Sequence, residues 1–200
     1  MYLFAHPAMA GGHRNAMRIL AISGSLRSQS TNTALLRAAA MVAPPSVDVV
    51  LYDQMETLPP FNPDFDLEPG PEAVLRFRAE LRDSSAVIFS TPEYAHGIPG
   101  SLKNALDWVV GSGELSGKPV ALMNASARGE YAQAALREVL KTMDARLVSE
   151  AEVTVPLLGK GLGVAEIAAD PEFAALIRRS LQRIAEECVE NKVVLEKARG

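Results

Sequence analysis

The sequence predicts an α/β protein in which helices cover both faces of a parallel β-sheet. Short continuous apolar runs, such as Ala86-Val87-Ile88-Phe89, are typical of strands that are buried on both faces. They alternate with longer segments whose apolar residues recur every three or four positions, which is typical of amphipathic helices. Because each strand is followed by a helix, neighbouring strands are expected to run parallel and to be joined by helical crossovers.

The first half of the chain begins with a strand at 18–23, a helix at 31–42 and a second strand at 47–52. A helix at 72–82 follows, with Val74, Phe77 and Leu81 on one side. Between them lies the long segment 53–70, which has no regular pattern and contains four prolines. Structureless stretches of this length in compact domains are usually functional. Phe61 and Phe65 on this segment therefore either cover the site of a second subunit or belong to an ordinary proline-stiffened surface loop.

The second half continues with a strand at 86–90, which Pro92 ends, and a helix at 102–110 that has Pro99 near its first turn. A strand at 120–124, a helix at 132–143 and an interrupted fifth strand at 146–155 come next. The last element is a long helix at 171–194, whose apolar stripe includes Cys188. This placement predicts that the thiol of Cys188 is a packing group.

Composition limits the classes of protein that the chain can belong to. A length of 200 residues with 48% hydrophobic content supports one core, so we expect one domain at 17–200 and a disordered extension at 1–16. A net charge of -4 without a basic cluster argues against nucleic-acid and anionic-membrane partners. The single cysteine excludes an internal disulfide framework and a Cys-rich metal site, so we expect no metal and a reducing, cytoplasmic setting.

The segment 91–108 joins the third strand to its helix and contains side chains that are not typical of packing. Glu93, Tyr94 and His96 lie among turn-forming residues, at the edge of the sheet where open α/β proteins bind ligands. One interpretation is a ligand site, and the other is a rigid loop without a ligand. Glu93 and His96 could supply protons, but a rigidifying role for Glu93 and a subunit contact for His96 are the favoured interpretations.

The segment 23–33 after the first strand is rich in hydroxyl groups and precedes a helix. Free backbone N–H groups at a helix N-terminus bind anions, and the guanidinium of Arg27 matches phosphate oxygens. The segment has neither the Gly-Lys-Ser/Thr pair of a triphosphate loop nor a Gly-x-Gly-x-x-Gly fingerprint, so a monophosphate fits better. The alternative is that Ser30 or Thr31 only caps the helix. Six polar side chains could donate to the anion: Ser25, Ser28, Ser30, Thr31, Asn32 and Thr33.

These two segments together resemble the NAD(P)H-dependent FMN reductase family, which includes quinone, azo-dye and chromate reductases. The resemblance rests on Gly24-Ser25-Leu26-Arg27 with Asn32, and on Pro92-Glu93-Tyr94 followed by the segment 98–108. It implies a flavodoxin-like three-layer sandwich with a five-stranded parallel sheet of order 2-1-3-4-5. It also implies non-covalent FMN, NADPH or NADH as hydride donor, and a homodimer or homotetramer. In such a dimer Trp108 is expected at the subunit interface, although core packing is the alternative.

The resemblance also transfers site residues one by one. It assigns Ser25, Arg27, Ser30, Thr31, Asn32 and Thr33 to the FMN phosphate, with Leu26 packed beside it. It assigns Pro92, Glu93, Tyr94 and Ala95 to the flavin ring, and Ser126 and Gly129 to a third loop that borders it. The chain departs from the family at Ala95, where asparagine is common, and in the third loop, which is usually richer in glycine. At Ala95 only a backbone N–H contact can remain.

The implied function is a reductase that transfers electrons from NAD(P)H through FMN to a quinone, a flavin, an azo compound or a metal oxyanion. No residue is assigned a catalytic role, because the flavin carries the chemistry. The alternative is an FMN-binding electron carrier or regulatory protein without its own pyridine-nucleotide turnover. The moderate acidity of the chain and the single aromatic residue, Tyr94, in the motif loops favour the enzyme. The sequence does not choose between NADPH and NADH, and it does not name the acceptor.

Overall fold

All strands of the protein pair into one parallel sheet in a computed structural model that describes residues 16–199. Strand β1 has β2 on one side and β3 on the other, and β4 and β5 follow, which gives the order 2-1-3-4-5 with β3 at the centre. In this register Ile19 lies between Val49 and Ala86. The predicted flavodoxin-like α/β fold is therefore confirmed. The strands are β1 (Met17–Ser23), β2 (Val47–Tyr52), β3 (Ala86–Ser90), β4 (Pro119–Asn124), β5 (Arg146–Leu147) and β6 (Val153–Thr154).

The helices cover both faces of the sheet. Successive residues of β1 point to opposite faces, so Ile19 packs in one apolar cluster and Leu20 in the other. Helices α1, α5 and α6 lie over the first face, and α2, α3 and α4 lie over the second. No helix in the described part of the chain is long and apolar enough to cross a membrane. The helices are α1 (Thr31–Val42), α2 (Glu72–Arg82), α3 (Gly100–Val110), α4 (Glu130–Thr142), α5 (Val164–Ala169) and α6 (Pro171–Arg199).

Most element boundaries agree with the sequence prediction, and the differences lie in the last third of the chain. The interrupted fifth strand is two short strands, β5 and β6, that both pair with β4 and are separated by the 3-10 turn Ser149–Ala151. Helix α5 was not predicted, because its six residues are too short to show a helical period. The prediction for 1–16 falls, apart from residue 16, outside the described residues and stays a prediction.

The crossover 53–70 is folded onto helix α3. The side chain of Asn104 accepts from the Phe61 N–H at 2.7 Å and donates to the Pro59 carbonyl at 2.9 Å. The indole N–H of Trp108 donates to the same carbonyl at 2.8 Å. The Phe61 ring packs edge-on against Trp108, with ring centroids 5.0 Å apart.

These contacts correct two of our interpretations. Trp108 is completely buried inside one chain, so it is a core residue and not part of a subunit interface. Phe61 is held against Trp108 and does not extend toward a second subunit. Phe65 remains exposed, as expected. The sequence could not show this docking, because Pro59 and Trp108 are 49 residues apart.

Candidate functional site

A cavity of about 370 Å³ opens at the carboxyl ends of β1, β3 and β4. Its volume is in the range of roughly 300–1,000 Å³ that is typical of small-molecule and cofactor sites. Three loops form most of it: the first loop (residues 24–30) with the first turn of α1, the second loop (residues 91–99) and the third loop (residues 125–129). The lining residues are Ser25, Arg27, Gln29, Ser30, Thr31, Asn32, Thr91, Pro92, Glu93, Tyr94, Asn124, Ala125, Ser126, Arg128, Gly129 and Leu158.

The first loop presents hydrogen-bond donors and a positive charge to one end of the cavity. Ser30 is the N-cap of α1 and accepts from the Thr33 N–H at 3.2 Å, so the capping interpretation is correct for this residue. Thr31 and Asn32, at the first turn of α1, also line the cavity. The Arg27 guanidinium has no hydrogen bond or ion pair within the described residues. This end of the cavity therefore combines a helix N-terminus with an unpaired cation, which suits an anion.

Asn32 and Thr33 are also held by bonds to neighbouring strands. The Asn32 amide oxygen accepts from the Ser90 hydroxyl at 3.0 Å, which ties α1 to the end of β3. The Thr33 hydroxyl bonds the Ser23 hydroxyl at 2.8 Å, and Thr33 does not line the cavity. Leu26 lies outside the lining as well, with 54% of its surface exposed. The geometry thus gives Thr33 a supporting position under the loop.

Gly24 allows the first and second loops to approach each other closely. A Cβ atom at this position would lie 2.3 Å from Thr91 Oγ1 and 2.9 Å from Thr91 Cβ. The Gly24 N–H donates to the Ser90 carbonyl at 2.9 Å, so the backbone of the first loop rests directly on the end of β3. Glycine is needed here because of this close contact.

Glu93 connects the second loop to helix α4. Its carboxylate accepts from the backbone N–H of Ala132 at 2.9 Å. Helix α4 has no cap from its own N-cap residue, Gly129, whose φ of 112° favours glycine. A carboxylate at this position satisfies a free N–H group and interacts favourably with the helix dipole. The geometry therefore supports the rigidifying role of Glu93 over proton supply.

The second loop contains a tight turn from Tyr94 to Gly97. Tyr94 and Gly97 exchange two backbone hydrogen bonds of 3.0 Å each, and the two residues between them have positive φ, 50° at Ala95 and 59° at His96. This backbone is that of a primed two-residue turn, which favours Asn or Gly and is strained for alanine. The His96 ring stacks on Tyr131 of α4, with centroids 4.2 Å apart and an interplanar angle of 16°. Ala95 does not line the cavity.

Sequence reasoning missed six of the residues that line the cavity. Thr91 and Asn124 are at the strand ends where a ligand site was expected, so their positions could have indicated them. Arg128 stands in the third loop, where a charged residue replaces the glycine-rich pattern of the family. Leu158 follows β6 and reaches the site only through the folding of the last third of the chain. The missed residues are Gln29, Thr91, Asn124, Ala125, Arg128 and Leu158.

The sheet order, the anion-binding first loop and the cavity at the carboxyl edge together define a flavodoxin-like protein with a ligand site at its topological switch point. A model of the NADPH-dependent FMN reductase family matches residues 17–158, a span that contains every residue lining the cavity. The chain belongs to this family. The family and the oxidoreductase class predicted from the sequence are confirmed, and the electron-carrier alternative is not favoured.

Individual relatives agree with this assignment. The chain is 36% identical over 174 residues to the NAD(P)H-dependent FMN reductase PA1204 of Pseudomonas aeruginosa, covering 84% of this chain and 93% of the relative. It is 30% identical over 167 residues to a quinone reductase of Escherichia coli, covering 80% and 85%. Among solved structures, the flavoenzyme NAD(P)H:(acceptor) oxidoreductase FerB of Paracoccus denitrificans is similar, with a TM-score of 0.69, 25% identity and coverage of 86% and 98%.

Proposed function

We propose that the protein is an NAD(P)H-dependent oxidoreductase that holds FMN non-covalently in the three-loop cavity. The electrons pass to a small acceptor: a quinone, a flavin, an azo compound or a metal oxyanion. The observation that carries the proposal is the cavity itself, because it brings the anion-binding groups of the first loop together with the second and third loops within the part of the chain that matches the family.

The residues of the first loop and the first turn of α1 fit the phosphate of FMN. The first turn of α1 offers backbone N–H groups, and Ser25, Ser30, Thr31 and Asn32 offer side-chain polar groups. Arg27 adds a guanidinium that no acidic residue in the described chain pairs with. A phosphate dianion needs several donors and a positive charge, and charge-assisted hydrogen bonds of this kind are the strong ones. In this assignment Thr33 supports the loop through its bond to Ser23, and Leu26, which does not line the cavity, makes no direct contact with the phosphate.

The second and third loops fit the flavin ring. Pro92, Glu93 and Tyr94 line one wall, and Ser126 and Gly129 line the other. The Glu93 bond to Ala132 holds the two walls at a fixed separation. Ala95 does not line the cavity, so at most its backbone N–H would contribute to flavin binding.

When bound, FMN supplies the redox chemistry, since it accepts a hydride from NAD(P)H and releases the electrons to the acceptor. The contribution of this chain is placement. The carboxylate of Glu93 already accepts from the Ala132 N–H, so we assign no residue of this chain as a general acid or base. The second and third loops, tied together by the bond between Glu93 and Ala132, would hold the ring in place for the nucleotide and then for the acceptor, which favours the reaction through positioning.

We further propose that the protein is a cytoplasmic homodimer or homotetramer. Four large apolar or aromatic side chains near the cavity are at least half exposed: Leu26, Tyr94, Tyr131 and Leu158. Such groups around the mouth of a site are typical of a surface that a second subunit covers. Size-exclusion chromatography with light scattering measures the oligomeric state directly.

The test of the cofactor assignment is a titration of the purified protein with FMN. Arg27→Ala should weaken FMN binding by roughly 10- to 100-fold, which corresponds to the loss of about 1.5–3 kcal/mol from a charged hydrogen bond. Arg37→Ala is the matched control, because Arg37 is exposed on α1 and does not line the cavity. Equal FMN affinity of the wild type and Arg27→Ala would contradict the assignment.

Anaerobic reduction separates the enzyme from the electron carrier. NADPH or NADH should bleach the flavin absorbance of the FMN-bound protein, and a quinone should restore it. If neither nucleotide reduces the bound flavin, the carrier alternative is correct.

A further inference from the structure

The cavity holds one more positive charge than the FMN phosphate needs. Arg27 lines the cavity from the first loop, next to the N-terminus of α1, whereas Arg128 lines it from the third loop. FMN has a single phosphate, and the first loop accounts for it. We propose that Arg128 binds a phosphate group of the hydride-donating nucleotide, an inference that rests on the proposed function.

Arg128 is free to bind an anion because its guanidinium makes no ion pair or hydrogen bond within residues 16–191. Its backbone is fixed, since the Arg128 N–H donates to the Ser126 hydroxyl at 3.0 Å. The two acidic groups nearest along the site do not pair with it: Glu93 accepts from Ala132, and Glu130 is exposed at the first position of α4. The loop therefore holds a positive charge at the cavity without neutralising it.

Arg137 on α4 differs from Arg128 because its guanidinium is already paired with a carboxylate. Its guanidinium donates to both carboxylate oxygens of Glu152, at 3.2 and 2.5 Å. The hydrogen bond to Glu152 raises the pKa of Arg137 above its ordinary value. A bidentate pair of this kind has little capacity left for a ligand. Of these two arginines near the third loop, only Arg128 can provide a fork of donors to phosphate oxygens.

Arg128 also stands where the cavity continues outward. A second depression of about 370 Å³ is lined by Ser126, Ala127, Arg128, Pro156, Leu158 and Gly159. It shares Ser126, Arg128 and Leu158 with the main cavity, so the two are adjacent. A dinucleotide whose nicotinamide lies over the flavin must extend out of the main cavity. If it extends into the adjacent depression, its phosphates pass Arg128, which lines both.

The experiment compares Arg128→Ala and Arg128→Lys with the wild type, all loaded with FMN. Arg128→Ala should raise the KM for the nucleotide roughly tenfold, about 1.4 kcal/mol, with kcat changed by less than about twofold. Arg128→Lys should show a smaller rise in KM than Arg128→Ala, because lysine keeps the positive charge but lacks the planar set of guanidinium N–H donors. Arg179→Ala is the control, since Arg179 is exposed on α6 and lines none of the described cavities.

A comparison of NADPH with NADH shows which phosphate group of the nucleotide Arg128 binds. An equal rise in KM for NADPH and NADH assigns Arg128 to the diphosphate, and a rise for NADPH alone assigns it to the 2'-phosphate. The wild-type KM should also increase with ionic strength, and more steeply than that of Arg128→Ala, because screening acts on the charge that the variant lacks.

Two results would overturn the inference. One is a KM for both nucleotides within about twofold of wild type in Arg128→Ala. The other is an FMN affinity that falls in parallel with nucleotide affinity, which would make Arg128 part of the cofactor site. If the wild type binds FMN but neither nucleotide reduces it, the proposed function fails independently. In that case, calorimetry on the FMN-loaded variants measures the affinity for NADP+ and NAD+ and shows whether Arg128 binds the nucleotide.

Discussion

Gly24→Ala tests the close contact between the first and second loops. The added methyl group would meet Thr91 Oγ1 at 2.3 Å, Thr91 Cβ at 2.9 Å and Leu102 Cδ2 at 3.1 Å. Thr91 and Leu102 are both buried, and the Gly24 N–H is bonded to the Ser90 carbonyl, so neither side can move without losing contacts. Overpacking of this kind costs about 1–3 kcal/mol.

The assay is thermal unfolding followed by circular dichroism, together with FMN titration. For a domain of this size about 1 kcal/mol changes Tm by roughly 2–4 °C, so Gly24→Ala should lower Tm by about 2–12 °C. FMN binding should weaken as well, because the same contact sets the distance between the two loops. Gly100→Ala is the control: its added Cβ meets nothing within 4 Å, and alanine favours the helix that begins there.

A double-mutant cycle tests whether the contact with Thr91 explains the glycine at position 24. Thr91→Ala removes the oxygen that the new methyl group would meet, so Gly24→Ala should cost less in that background than in the wild type. If the cost of Gly24→Ala is below about 0.5 kcal/mol, or is the same in both backgrounds, the clash does not explain the glycine.

Substitutions at three further positions test single features of the fold. Ala95→Gly should raise stability by up to about 1 kcal/mol, because relief of left-handed strain exceeds the entropic cost of glycine; a lower Tm would contradict the turn geometry. Glu93→Ala should lose about 0.5–2 kcal/mol of stability by urea unfolding, whereas Glu93→Gln, whose amide oxygen can still accept from Ala132, should lose much less. Burial raises the pKa of Tyr52 to about 12, whereas the pKa of tyrosine in the unfolded chain is about 10. The contribution of Tyr52 to the free energy of unfolding is therefore constant below about pH 10. It falls as the pH rises from about 10 toward 12, by at most about 1.4 kcal/mol per pH unit. Tyr52→Phe should remove that part of the alkaline decline, and at neutral pH it should be neutral or stabilising, because the hydroxyl has no hydrogen-bond partner among the described residues; an unchanged decline would contradict the assignment.

The sheet and most helices could be predicted because their signals are local. Strand β3 is a continuous apolar run, and α1 begins at its hydroxyl cap, so both boundaries agree with the sequence. Helix α5 and the division of the fifth strand were harder to predict from the sequence. Helix α5 has six residues and strands β5 and β6 have two each, so their structure depends on packing against neighbouring elements. The hydrogen bond between Trp108 and Pro59 is a long-range contact that no local sequence pattern indicates.

The candidate site was predictable where it follows strand ends and not where it depends on packing. Ser25, Arg27 and Asn32 follow β1, and Pro92 to Tyr94 follow β3, so their meeting at one edge is a consequence of the parallel sheet. Whether a residue faces the cavity is decided by the turn that carries it. Thr33 bonds Ser23, and Ala95 sits at the tip of a tight turn, so neither lines the cavity.

The burial of Trp108 gives the protein a built-in optical probe. The chain has one tryptophan, and its indole is completely buried with its N–H bonded to Pro59. Emission from such an indole is expected at short wavelength, and a red shift would report release of the crossover from α3. Flavins absorb where tryptophan emits, so a bound flavin near α3 would quench this emission by energy transfer. A single unlabelled fluorophore can therefore follow both the docking of the crossover and the filling of the cavity.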